Sequence, residues 1–183
     1  MQVSDFYRSQ NTIFELLRDR GYKIDDKNKV SDFSKENNYE IISKKKEESI
    51  LVTWIQCDVG IDIIKKLYNR LKEDNILNCI IIKNEKLTNA AKTVIEESSN
   101  SRKIQVFDIK NVIINITKHV LVPKHELLSE EQSKILLSNY RVQKNQLPRI
   151  FISDPVVKYY GWKRGDIIKI SRSNGEQTYR CIV

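Results

Sequence analysis

Cysteine, glycine and proline are scarce in this chain of 183 residues, with 3 Cys, 5 Gly and 3 Pro. Cys57, Cys79 and Cys181 form no C-x-x-C pair and are too few for a disulfide scaffold. They read as core thiols in a reducing compartment. So little Gly and Pro excludes collagen-like and Pro/Gly-rich disordered classes. No apolar run approaches the roughly 18 residues of a membrane span. The opening Met1-Gln2-Val3-Ser4-Asp5 lacks the basic-then-apolar order of a signal peptide, so no secretion is expected. The only histidines, His119 and His125, have no Cys near them, and a zinc site lacks its ligand set. The phosphate-cradling patterns G-x-x-x-x-G-K-[ST] and G-x-G-x-x-G are missing, as is the G-x-S-x-G nucleophile elbow. No metal, cofactor or small-molecule substrate is expected.

Apolar residues at 40% and charged residues at 31% fit an ordinary globular chain. The net charge is +8 and is unevenly divided. Residues 112–183 hold 12 Lys+Arg against 6 Asp+Glu (+6), and residues 1–111 hold 20 against 18 (+2). Such charge suits a polyanionic neighbourhood and says nothing of the fold. Ile, Lys and Asn are the favoured types, which fits an AT-rich genome.

Apolar spacing predicts a helix from about Asp5 to Arg20, stopped at Gly21. A loop with one short helix is expected over 25–38. Tyr39–Ile42 and Ile50–Ile55 read as strands of a hairpin whose tip is the charged Lys44-Lys45-Lys46-Glu47-Glu48. Gly60 opens a second helix with Ile63, Ile64, Leu67 and Leu71 on one face. Cys79–Ile82 reads as a buried strand, Thr88 as the cap of a third helix, and Ile104–Phe107 as another strand. Strand–helix–strand–helix–strand implies βαβ units.

The pattern changes beyond residue 111. A strand is expected at His119-Val120-Leu121-Val122, closed by Pro123, with His119 at a strand end and His125 in a turn. Ser129-Glu130-Glu131-Gln132 is a capping box for a helix ending near Tyr140. Leu147–Ile150 is extended because the residue before Pro148 avoids the helical region. Asp154-Pro155 is a cap followed by Pro at the first helical position, and Gly161 stops that short helix. A final hairpin, Asp166–Ser171 with Gln177–Val183, turns at Asn174-Gly175. The fold class is therefore an α/β N-terminal domain, a sheet covered by helices, plus a small α+β C-terminal module with a closing β-hairpin. The domains are placed at 1–111 and 112–183.

A basic α/β chain invites the reading of a metal-dependent nuclease, whose short pattern is [DE]-x-K. With 24 acids and 22 lysines in 183 residues, random placement gives about three matches. There are two, Asp25-x-Lys27 and Asp108-x-Lys110, and only the second follows a predicted strand. That is no enrichment. Lys65, Lys66, Arg70 and Lys72 read as a solvated helix face. Lys158, Lys163, Arg164, Lys169 and Arg172 gather within 15 positions and suit either phosphate or an acidic protein partner. Trp54 and Trp162 read as packing anchors.

Five linked motifs stand in order: His119-Val-Leu-Val-Pro-Lys-His-Glu126, Gln146-Leu-Pro-Arg-Ile150, Asp154-Pro-Val-Val-Lys-Tyr-Tyr-Gly161, Lys163-Arg-Gly-Asp166 and Thr178-Tyr-Arg180. Together they resemble the fifth subunit of eukaryotic-type DNA-directed RNA polymerases, whose C-terminal module is similar to a small archaeal RNA polymerase component. Upstream, Asp19-Arg-Gly-Tyr22 and Thr88-Asn-Ala-Ala91 continue the likeness. The resemblance implies a structural, non-catalytic subunit. Its C-terminal assembly module would dock on the largest polymerase subunit, with other core subunits as partners, and its N-terminal jaw domain would lie near downstream duplex DNA. The implied interface residues are Pro123, His125, Leu147, Pro148, Arg149, Asp154, Pro155, Arg164 and Gly165. The family's Thr-Pro-Ser-Ala turn near DNA stands here as Thr88-Asn89-Ala90-Ala91, making Thr88, Asn89 and Ala90 DNA-proximal. The implied location is the nucleus, or a cytoplasmic virus factory for a viral homologue. The alternatives are a metal-dependent nuclease and a DNA-binding transcription regulator that works without the polymerase.

Overall fold

A computed structural model describes residues 2–24, 38–46, 48–98 and 101–183. The expected loop and short helix over 25–38 and the Asp25-x-Lys27 pattern fall almost wholly outside the described residues, as does Glu47 at the hairpin tip. The chain divides into two compact units, Met1–Ile114 and Asn115–Val183.

In the first unit, helix α1 (Val3–Asp19) presents Phe6, Ile13, Phe14, Leu16 and Leu17 on one face, and all five are buried. Strands β1 (Tyr39–Lys45) and β2 (Glu48–Ile55) pair antiparallel. Helix α2 (Ile61–Glu73), strand β3 (Asn78–Lys83), helix α3 (Asn89–Ser98) and strand β4 (Lys103–Asp108) follow. The sheet order is β1-β2-β3-β4, with β2, β3 and β4 parallel, as two successive crossover helices require.

Alternation along the strands divides the core between the two sheet faces. Leu51, Ile55, Cys79 and Ile81 face α2 and α3, where they pack with Ile64, Leu67, Leu71 and Ala91. Trp54, on the opposite face from Leu51 and Ile55, packs edge-on against Phe6 of α1 with ring centres 5.6 Å apart. Its indole Nε1–H donates to Ser9 Oγ at 3.0 Å, and that hydroxyl donates to the Phe6 carbonyl at 2.7 Å. A buried indole needs such a partner.

The second unit holds strand β5 (Lys124–Leu127), helix α4 (Glu130–Tyr140), strand β6 (Arg149–Ile150), helix α5 (Pro155–Tyr160) and strands β7 (Ile167–Ser171) and β8 (Gln177–Ile182). Its sheet order is β5-β7-β8-β6, with β6 parallel to β8 and the other pairs antiparallel. Ile150, Val157, Ile168, Ile170 and Ile182 form the core, and Trp162 packs against it as an anchor. The capping box at Ser129 is complete: Ser129 Oγ accepts from Gln132 N–H at 3.1 Å, and Gln132 Oε1 accepts from Ser129 N–H at 3.0 Å. Asp154 caps α5 through Val156 N–H at 2.8 Å, and Gly161 ends it in the left-handed region at φ 71°.

One expected strand is corrected. His119–Val122 forms a turn, and the strand is Lys124–Leu127. The Val122 N–H donates to the His119 carbonyl at 2.9 Å, closing the turn on itself. The histidines thus exchange their expected places: His119 opens a turn, and His125 lies in β5 opposite Ile170.

Candidate functional site

The residues singled out by the motifs fall on four short pieces of the second unit. Pro123 and His125 form the first. His125 Nδ1 lies 2.7 Å from the Pro123 carbonyl, and because a carbonyl only accepts, the ring carries its proton on Nδ1. Both residues are half-buried.

Leu147, Pro148 and Arg149 form the second piece. Pro has no N–H to donate, which confines it to sheet edges, and Pro148 enters β6, the edge strand. Its carbonyl accepts from Cys181 N–H at 2.8 Å. The Arg149 carbonyl accepts from Arg180 Nη1 at 3.5 Å, so the terminal Thr178-Tyr-Arg180 motif also braces β6. Asp154 and Pro155 form the third piece, the start of α5.

Lys163-Arg-Gly-Asp166 is the fourth. Asp166 N–H donates to the Lys163 carbonyl at 3.2 Å, and Gly165 takes φ +84°. This is the pattern of a type II turn, which needs a positive φ at its third position. The turn is tied to β8 by Gly165 N–H to the Ile182 carbonyl and Ile182 N–H to the Asp166 carbonyl, both 2.9 Å. Lys144 Nζ donates to the Gly165 carbonyl at 3.0 Å. Arg164 sits at the tip. Arg149 and Arg164 are both exposed, and among the described residues neither guanidinium has a hydrogen-bond or ion-pair partner. Two such forks suit carboxylates on another surface.

In the first unit, Thr88 caps α3 through Ala91 N–H at 3.2 Å. Its own N–H donates to the Val59 carbonyl at 3.2 Å, fixing the turn to the chain leaving β2. Thr88, Asn89 and Ala90 are exposed, and Ala91 is buried. On α2, Arg70 is paired with Glu40 and Asp74, so that basic face is partly neutralised.

The nuclease pattern has a definite geometry. Lys83 and Asp108 are register partners at the carboxyl ends of β3 and β4, and Lys83 Nζ lies 3.0 Å from Asp108 Oδ2. Burial opposes the charge of Asp108, but the hydrogen bond from Lys83, that from the Lys110 amide, and the two lysine charges outweigh it. The carboxyl is held below its usual range. Asp108 is thus bound to ammonium, and among the described residues no group of three His, Cys, Asp or Glu side chains could hold a metal ion. Burial, with a smaller contribution from Glu40, pushes the Cys79 thiol up to about 12, an inert core thiol; Cys181 is also buried, but Cys57 is exposed and is not the expected core thiol.

Comparison with known proteins adds to this geometry. Residues 114–182 match the family model described as RNA polymerase Rpb5, C-terminal domain. A Dictyostelium discoideum protein named DNA-directed RNA polymerases I, II, and III subunit rpabc1 is 36% identical over 194 residues, covering 99% of this chain and 98% of that one. The chain belongs to the RNA polymerase subunit 5 family. An Arabidopsis thaliana family member, DNA-directed RNA polymerase subunit 5-like protein 1, is 30% identical over 204 residues, covering 100% of this chain and 97% of its own. Residues 9–113 of this subunit 5 family member also match a model described as NACHT-associated inactive Restriction Endonuclease 1. The two matched segments abut at 113 and 114, one residue before the chain divides into its compact units.

Val120 and Leu121 lie inside the first motif but outside the implied interface set, and they are the most exposed apolar side chains of the second unit, at 97% and 83%. Their apolar character suggests a strand, and nothing in the spacing distinguishes a buried run from an exposed one.

Proposed function

We propose that this protein is a non-catalytic subunit of a DNA-directed RNA polymerase. The observation that carries the reading is likeness to polymerase fifth subunits over the full length of both chains. Residues 112–183 act as the assembly module and dock on the largest subunit through Pro123, His125, Leu147, Pro148, Arg149, Asp154, Pro155, Arg164 and Gly165. The two unpaired arginine forks and the +6 charge of that segment support an acidic docking surface.

Residues 1–111 serve as the jaw, with Thr88, Asn89 and Ala90 toward downstream duplex DNA. This segment carries only +2, so free duplex binds weakly and with a shallow salt dependence. Contact is made in the assembled polymerase, where other subunits position the DNA. Transcription in the nucleus is the corresponding setting.

Division of labour is tested by deleting residues 1–111 and, separately, by changing Arg149 and Arg164 together to Glu. The deletion should keep co-purification with the largest subunit and lose crosslinking to downstream DNA. The double reversal should release the subunit, because two anchors become repulsive or unpaired charges. The opposite pattern would reverse the assigned roles.

A further inference from the structure

Val120 and Leu121 stand side by side on one turn, 97% and 83% exposed, where solvated turns favour Gly, Asn, Asp and Ser. Single exposed apolar residues are ordinary on a surface. Two neighbours with almost no contact to their own chain contribute nothing to its core, and such an apolar projection marks a contact site.

The turn is also held in shape. Val122 N–H donates to the His119 carbonyl at 2.9 Å, and Leu121 N–H donates to His119 Nδ1 at 3.2 Å. His119 therefore accepts through an unprotonated Nδ1 within the turn, and His125 donates from Nδ1 to the Pro123 carbonyl just after it. Upstream, Asn115 Oδ1 accepts from Thr117 N–H at 3.0 Å, and Asn115 Nδ2 donates to Tyr159 of α5 at 3.0 Å. Downstream, β5 is paired with β7. A tip anchored on both flanks loses little conformational freedom on binding.

We propose that Val120 and Leu121 form an apolar plug that enters a pocket on the polymerase subunit on which the module docks. This rests on the docking reading above and names its central contact. The pocket has an apolar floor, matched to Val120 and Leu121 with the half-buried Val122 and Pro123 beside them. Its rim is acidic. Residues 112–183 carry +6, so the plug rises from a module of net positive charge, although Lys124 at its foot is already paired with Glu126 at 2.7 Å. Pro123 and His125, already assigned to the interface by the motifs, continue the same segment.

The test measures binding of the full-length protein to the purified largest polymerase subunit from the same source. Three variants are compared: Val120→Asp with Leu121→Asp, Val120→Ile with Leu121→Met, and Ile135→Asp on α4. Ile135 is also apolar and is 61% exposed. The aspartate pair should weaken binding by about 100-fold or more, roughly tenfold for each buried side chain. Its thermal midpoint should stay at the wild-type value, because neither residue packs inside the chain. The apolar pair and Ile135→Asp should bind within about threefold of wild type. Wild-type binding that survives the aspartate pair would overturn the plug and leave docking standing. Failure of the wild type itself to bind would overturn the docking reading. A dimer of the free subunit dispersed by the aspartate pair would assign the tip to self-association and also overturn the proposal.

Discussion

Asn115 Nδ2 donates to Tyr159 Oη at 3.0 Å, a buried bond between side chains 44 positions apart. It fastens the first residue of the second unit to helix α5, just upstream of the motif that begins at His119. Tyr159→Phe removes the acceptor and keeps the ring. It should lower stability by about 1 kcal/mol, the usual net worth of one such bond. Asn115→Ala should cost more, because the same side chain also caps the turn at Thr117. Denaturant unfolding of both variants checks the order.

The second unit should fold as an isolated fragment of residues 112–183. It has its own sheet, its own apolar core and two capped helices. About 70 residues is small but sufficient for independent folding. A cooperative thermal transition of the fragment is expected; a featureless melt beside a cooperative full-length protein would count against it.

Backbone conformation gives two substitutions of opposite sign. Gly165 takes φ +84°, and a Cβ built there meets nothing within 4 Å. Any loss in Gly165→Val therefore comes from backbone strain, expected at about 1–3 kcal/mol. Arg141, by contrast, ends α4 in the left-handed region at φ 52°. Arg141→Gly should stabilise by up to about 1 kcal/mol. Midpoints of chemical denaturation measure both.

The helix signals in the sequence correspond closely to the structure, because they depend on neighbours. Thr88, Ser129 with Gln132, and Asp154 with Pro155 cap the helices that their spacing predicts. Gly60 precedes α2, whose buried face is Ile64, Leu67 and Leu71. What failed depends on contacts distant in sequence. Lys124-His125-Glu126-Leu127 has no strand composition, and pairing with β7 alone makes it one. The apolar His119–Val122 segment has strand composition and is an exposed turn. Strand β6 is two residues long and exists through Pro148 and Ile150 bonding to the end of the chain. The motifs single out Arg149 and Arg164, which the structure leaves exposed, whereas the exposure of Val120 and Leu121 follows only from three-dimensional position.

Asp108 gives a test in pH. Its folded pKa is depressed, so its stabilising contribution is complete above the ordinary carboxylate value and disappears as pH falls through the lower, folded value. Lys83→Met removes the principal favourable partner and should move the Asp108 midpoint upward. Carboxyl chemical shifts followed by NMR titration measure that displacement. The stability lost at neutral pH should be about 1 kcal/mol or less for so partly exposed a pair.

The free protein should not cleave DNA with Mg²⁺ or Mn²⁺, since Asp108 is committed to Lys83. Cleavage by the pure protein that vanishes in Asp108→Ala would establish a nuclease and displace the subunit reading.

Affinity purification of the full-length chain from its native source tests the central claim most directly. The account predicts recovery with the two largest RNA polymerase subunits in stoichiometric amounts. Recovery as a lone monomer, with no polymerase subunit attached, would contradict it.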